Sequence, residues 1–323
     1  MRKTSKVWLI VGLLLILAGG LLFVGELALH HWDLGAFGTA KLDTGTAEIS
    51  ESFRNISITS DMEEIRFLPS EDGVCRVDYA VMETRKLSAS VQGDTLSIEG
   101  IDQRKWSDNI SFSFGPVEKP RITVYLPGRD YAALSIDEDT GDVVLPGDFA
   151  FESIRFTLDT GDVDCRASSS GLISIETTTG DIRLEALSAG ALSLSTDTGR
   201  IELRSVACTG DLGVTVTTGK TVLTDVTCGS FTSKGNTGDL RLEQVLVEGL
   251  LSVERSTGDV RLEDCDAGEL LISTDTGDVS GTLLTEKVFL VRSSTGKIRV
   301  PETVSGGKCK ITTVTGDISI EIG

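Results

Sequence analysis

Apolar and polar residues alternate along most of this chain, and at regular intervals a Thr-Gly pair interrupts the alternation. Residues 174–190, "SIETTTGDIRLEALSAG", show the unit: an alternating run, the pair Thr179-Gly180, and a second alternating run. Ten glycines stand at such turns, Gly141, Gly161, Gly180, Gly199, Gly219, Gly238, Gly258, Gly277, Gly296 and Gly316, spaced 19 or 20 residues apart and each preceded by Thr. Seven residues before the glycine every unit is apolar, from Leu134 and Ile154 to Phe289 and Cys309. Five before it only Ser233 breaks the apolar column, two after it only Thr221, and four after it only Gly281. Steps of two on either side of the turn mark strands, whose successive side chains point to opposite faces. A further apolar position seven after the glycine (Leu187, Val206, Val226, Val245, Cys265, Leu284) marks a third wall.

A fixed period near 20 residues is the signature of a solenoid. The pattern predicts an all-β, parallel β-solenoid (β-helix-like) of about ten rungs over residues 131–323. Rungs stacked about 4.8 Å apart would form a rod roughly 48 Å long. One rung cannot bury its own inward side chains, so its neighbours complete the core. The turn glycine is expected at a positive φ that a Cβ would resist. The Thr before it is expected to hydrogen-bond along a column of its equivalents. Outward, Arg183 and Glu185 should face Glu202 and Arg204, pairing opposite charges across rungs. The final "ISIEIG" reads as an uncapped last rung, an open sheet edge suited to strand addition or end-to-end association.

Upstream, residues 41–130 are less regular. "RNISITS", "EEIRFLPS", "CRVDYAV" and "RITVYLPG" alternate, and "SASVQGDTLSIEG" predicts a hairpin turning at Gln92-Gly93-Asp94. This stretch is expected to cap the membrane-proximal end of the rod. Earlier still, Val7 to Gly25 is a run of 19 uncharged residues preceded by Arg2, Lys3 and Lys6. A helix of that length is about 28 Å long, enough to span a bilayer. The basic residues place residues 1–6 in the cytoplasm, with a transmembrane anchor at 7–29, a tether at 30–40 and the remainder extracellular. The competing reading, a cleaved signal peptide, has only Ala18-Gly19-Gly20 as a candidate site.

Charge narrows the partners. With 49 acidic and 30 basic residues the net charge is −19, which repels phosphate backbones and excludes nucleic acid. The six Cys show no metal-ligand spacing, and the only His residues are His30 and His31 at the membrane edge, so neither a metal nor a cofactor is expected. Cys165, Cys265 and Cys309 stand at apolar columns and read as small buried hydrophobes. Cys208 and Cys228 each lie nine residues after a turn glycine, so stacking brings them together, either bridged or as a pair of thiols.

The residue after the turn glycine is Asp at 142, 162, 181, 239, 259, 278 and 317. Stacked carboxylates can hold Ca²⁺, and Asp139, Asp142, Asp159 and Asp162 are the place to look. Turn capping accounts better for the column, because Arg200, Lys220 and Lys297 interrupt it. Polysaccharide lyases and hydrolases also use β-helices, but no rung stands out as a reaction centre, and neither Trp nor Tyr follows Tyr131. The chain is not expected to be an enzyme.

An N-terminal apolar span, "FLPSEDG", "ITVYLPG" and the Thr-Gly-Asp turns occur here in that order. In this the chain resembles the bacterial putative-adhesin, β-strand-repeat family of cell-envelope proteins, a domain of unknown function, over residues 50–323. The resemblance implies an envelope location and brings no catalytic motif. The expected role is a non-catalytic adhesion or interaction module that meets an envelope protein or glycan. The alternative is an envelope-stress scaffold or sensor that self-associates or binds a protein partner.

Overall fold

A computed structural model describes residues 42–83, 85–102 and 119–323, with helical positions between 12 and 29. Within the predicted anchor, residues 15–21 and 23–25 are helical. Among the described residues no helix is long and apolar enough to cross a membrane. The cytoplasmic tail and the tether lie outside the described residues.

From Leu42 onward the described chain forms 24 strands joined in one hydrogen-bonded network. Each Thr-Gly coil follows one path. Its first strand carries inward residues seven and five before the glycine, as Leu192 and Leu194 do at 2% and 1% exposure. Beyond the corner, the second strand turns in the residues two and four after it, as with Ile201 and Leu203. Six residues after the glycine the chain bends again. Ala186, Ser205, Asp225, Gln244 and Asp264 all adopt a left-handed conformation there, with φ between 51° and 54°. That single residue of reversed hand explains why the next inward position comes three residues after the last instead of two.

Neighbouring coils pair in parallel, like residue over like residue. Ile182 lies on Ile201 and Leu184 on Leu203, and Ile201 in turn lies on Thr221. One continuous core runs from Ile49 to Ile320. The register also sets Arg183 opposite Glu202 and Glu185 opposite Arg204. The ion pairs made are different ones: Arg183 reaches Asp162 and Asp181, Arg204 binds Glu202 of its own strand, and Glu185 takes Arg166. Long side chains bridge to residues two along the strand as readily as across it.

Two further coils without the Thr-Gly turn lie within 55–126, and their order in space differs from that in sequence. The coil of Asn55–Ser60 and Glu64–Pro69 sits between that of Thr95–Asp102 and Arg121–Leu126 on one side and the Gly141 coil on the other. Strands Leu42–Ile49, Cys75–Met82 and Arg85–Gln92 pair antiparallel at this end. The hairpin joins Gln92 to Thr95 through Gly93, at φ 65°.

The same reordering occurs at the other end and corrects the expectation for "ISIEIG". Strand Gly307–Thr315 pairs with residues Leu270 to Thr276 of the preceding long strand on one side and with Lys287–Thr295 on the other. Ile318–Ile322 likewise lies between Val279–Leu283 and Ile298–Arg299. The chain thus passes to the outermost coil, that of Gly296, and returns to fill the gap beneath it. The end of the chain is an inner coil, and the free edge belongs to residues 287–299. A period of 20 residues fits both orders, so spacing cannot separate them.

Candidate functional site

The turn glycines form one column in the order 141, 161, 180, 199, 219, 238, 258, 277, 316, 296. All but the last, Gly296, donate their N–H to the Thr carbonyl of the next coil, as Gly180 does to Thr198 and Gly277 to Thr315. Eight of them have φ between 134° and 155°. Close approach adds a second requirement: a Cβ on Gly199 or Gly219 would overlap the carbonyl oxygen of the glycine below it. The Thr hydroxyls contribute less than expected. Among the described residues only Thr295 and Thr315 meet at 3.4 Å. The working hydroxyls stand three residues before the glycine instead, where Thr196 and Thr313 donate to the carbonyls of Gly180 and Gly277.

The Asp column serves the same corner. Backbone pairing satisfies the N–H of the glycine and of the residue two after it, but not the one between. Each Asp carboxylate accepts that N–H from the following coil: Asp162 from Asp181 at 2.8 Å, Asp181 from Arg200 at 2.8 Å, Asp278 from Asp317 at 2.7 Å. Asp142 accepts from Asp162 at 3.0 Å. Every link replaces a water with a charge-assisted hydrogen bond. Among the described residues no three metal-ligating side chains converge.

Two polar clusters lie inside the rod. Arg255, 4% exposed, occupies the position three before its glycine and donates to Ser233 Oγ at 2.8 Å and Thr221 Oγ1 at 3.4 Å. These are two of the three residues that break the apolar columns; Ser233 belongs to the neighbouring coil and Thr221 to the one beyond it. Gly235 leaves the space that the guanidinium fills. Burial lowers the pKa of Arg255 to about 10.

The second cluster closes the N-terminal end. Glu63 stands in the turn-glycine position of its coil, beneath Gly141, and its Oε2 accepts from Ser60 Oγ at 2.9 Å. Arg85 comes from the covering hairpin to bind Asp61 and lies 3.6 Å from Glu63. Glu138, 2% exposed, has no hydrogen-bond partner for either oxygen among the described residues. Burial raises its pKa to about 7, helped by the charges of Glu63 and Asp61.

A groove of about 760 Å³ lies on the third wall, crossing the coils of Gly199, Gly219, Gly238 and Gly258 and one layer beyond them, at Lys287 and Gly307. Five stacked layers give it a length of roughly 19 Å. Cys208, Cys228, Val247 and Ala267 form its floor, and Glu248, Asp266 and Lys287 its charged side. The two cysteines are unbridged thiols. Burial raises both pKa values, that of Cys228 to about 12, so neither is a nucleophile near neutral pH. Lys287 is 4% exposed and binds Asp266 Oδ1 at 2.6 Å and Thr285 Oγ1 at 2.7 Å. Burial would raise the pKa of Asp266, but the hydrogen bonds from Lys287 and Thr285 outweigh it and hold it low. The columns that build this groove lie eight and nine residues after the turn glycine. Their sequences vary from Ala-Cys to Asp-Ala, so no motif announces them.

These features define a class: a parallel β-solenoid whose repeated polar groups serve its own turns and whose third wall carries a shallow groove. The chain belongs to the Toastrack DUF4097 family, which it matches over residues 53–220 and again over 209–323. No functionally curated protein is detectably similar to it. Solved structures share its outline at low identity. A putative adhesin from Parabacteroides distasonis is 10% identical, with a TM-score of 0.45, 87% of this chain and 98% of that one being covered. A putative adhesin from Bacteroides fragilis is 14% identical, with a TM-score of 0.40 and coverage of 88% and 97%. A putative lipid binding protein from Parabacteroides distasonis is 12% identical, with a TM-score of 0.44 and coverage of 86% and 97%.

Proposed function

We propose that the chain is a non-catalytic interaction module of the cell envelope, anchored by its N-terminal apolar segment and engaging an envelope protein or glycan through the side of its rod. The groove on the third wall carries this reading. It follows the rod axis across five layers, has an apolar floor with charge on one side, and contains no nucleophile–base pair. Such a surface accommodates an extended polymer lying along the rod. The Asp carboxylates that would be the natural acids of a glycosidase are already hydrogen-bonded to backbone N–H groups of the next coil.

A photo-activated cross-linking residue at Thr227, exposed in the groove, tests this in intact cells, with Glu254 on another face as the control. A discrete adduct is expected from position 227 alone, and Leu246→Glu, at the groove wall, should abolish it. Equal labelling from both positions would remove the groove from the account. Hydrolysis of an envelope glycan by the purified chain would overturn the non-catalytic reading.

A further inference from the structure

The outermost coil at the C-terminal end differs from every coil beneath it. Ile272, Cys309 and Ile311 are fully buried because a coil lies on each side of them. Phe289 and Val291 continue the same columns and are only half-buried, since among the described residues no further coil lies over them. Ile298, at the inward position two after its glycine, is 42% exposed for the same reason, and Leu290 on the outer face is 52% exposed. Among the described strands Lys287–Thr295 pairs with Gly307–Thr315 alone, which leaves the N–H and C=O groups of its other edge unmatched there.

Charge sets this end apart as well. Residues 287–310 contain six cationic side chains and one acidic one, in a chain of net charge −19. Lys287 is buried against Asp266, whereas Arg292, Lys297, Arg299, Lys308 and Lys310 are exposed and form no ion pair among the described residues. In the middle of the rod, by contrast, Arg183, Arg204, Arg241 and Arg261 are all matched with carboxylates.

We propose that the Gly296 coil is a docking edge for an extended acidic peptide, which adds as a parallel or antiparallel strand beside Lys287–Thr295. Three requirements converge on that occupant. Its backbone would complete the unmatched ladder, as in other strand additions. Alternate apolar side chains would cover Phe289 and Val291, ending the core as an inner coil does. Carboxylates on its other face would lie opposite Arg292, with Lys310 one strand further in, beside Leu290. A second copy of this chain fits poorly at the same place. Tip-to-tip pairing would bring the same five cations against each other. The inference adds an end-on site to the side groove and rests on the reading of the rod as an interaction module.

The test uses the full chain in detergent and a labelled nine-residue peptide alternating valine and glutamate, with binding read by fluorescence anisotropy. Saturable binding is expected. Replacing glutamate by lysine should weaken it by at least about tenfold, through loss of charge complementarity. Methylating alternate backbone nitrogens on the edge-facing side, which keeps the charge but blocks the ladder, should weaken it by a similar factor, about tenfold. Arg292→Glu combined with Arg299→Glu, both at exposed positions, should reverse the preference between the acidic and basic peptides. Unchanged affinity of the methylated peptide would show that charge alone attracts it, overturning strand addition. Binding to phosphatidylglycerol vesicles without any binding of the acidic peptide would assign the cations to an anionic lipid surface and also overturn the proposal. Neither result touches the cross-link at Thr227, so this site and the groove can fail separately.

Discussion

At the N-terminal end of the rod, the coil of Asn55–Ser60 and Glu64–Pro69 is overlain by a later stretch of chain. At the C-terminal end, the coil of Gly307–Thr315 and Ile318–Ile322 is overlain by an earlier one. Both ends therefore set the first or last coil of the sequence inside the stack, where both its edges are paired. They part company in what lies outside. Antiparallel strands close the N-terminal end, and Arg85 from their hairpin reaches the carboxylates of Asp61 and Glu63. Among the described residues the other end has no such cover, and it presents five exposed cations. Exposed cations on an edge strand discourage unselective pairing, because an incoming edge must match the charge as well as the hydrogen bonds. One end is sealed by structure, the other is guarded by charge.

A central coil sets the scale against which both ends are measured. Gly219 has φ 144°, and a Cβ there would overlap the Gly199 carbonyl oxygen. Gly219→Val should cost about 5 kcal/mol, because strain and a backbone clash combine where neither coil can move aside. Urea unfolding with hydrogen exchange should show early loss of protection around Thr198 and Thr237. Thermal unfolding equal to that of the parent would refute the account of the corner.

The comparison of buried and bare coils is sharpened by two isoleucines in one column. Ile318 and Ile298 are register partners two residues after their glycines, with exposures of 0% and 42%. Ile318→Ala should cost about 3 kcal/mol through lost burial and a cavity, and Ile298→Ala less than about 1 kcal/mol. If the coils were stacked in sequence order, Ile298 would be the inner residue and the ranking would invert. Measured urea midpoints in the reverse order would therefore sink the reordered end.

The columns could be read from sequence because burial repeats at each coil: Leu192 over Leu212 over Phe231 needs only a period and an apolar residue. Coil order could not, since neighbours on either side satisfy the same inward positions equally well. The left-handed corner was hidden for a different reason. Ala186, Ser205, Asp225, Gln244 and Asp264 share a backbone conformation but no side-chain property, and no Gly stands there to signal it. Arg255 shows where a signal existed but pointed elsewhere. Ser233 and Thr221 stood out as exceptions in columns other than its own, and only the fold joins the three. The groove is also a product of stacking, as its floor draws one or two residues from each coil.

The last of these effects belongs to the sealed end and appears only as pH changes. Glu138 is buried against Glu63 with its pKa raised to about 7, from an ordinary value near 4.5. Between those values the folded chain holds a proton that the unfolded chain has released, so stability falls as pH rises through this window and levels off above it. A shift of that size corresponds to about 3 kcal/mol, lost progressively between about pH 4.5 and pH 7. Glu138→Gln keeps the shape and removes the titration. Relative to its value at pH 4, the stability difference between variant and parent should grow in the variant's favour by up to about 3 kcal/mol at pH 8, where the parent must bury a charge. Arg292→Gln at the bare end, exposed and without a carboxylate partner, should track the parent at every pH. Parallel pH profiles for Glu138→Gln and its parent would mean that the sealed end holds its carboxylates ionised, with Arg85 balancing more of their charge than its contacts with Asp61 and Glu63 imply.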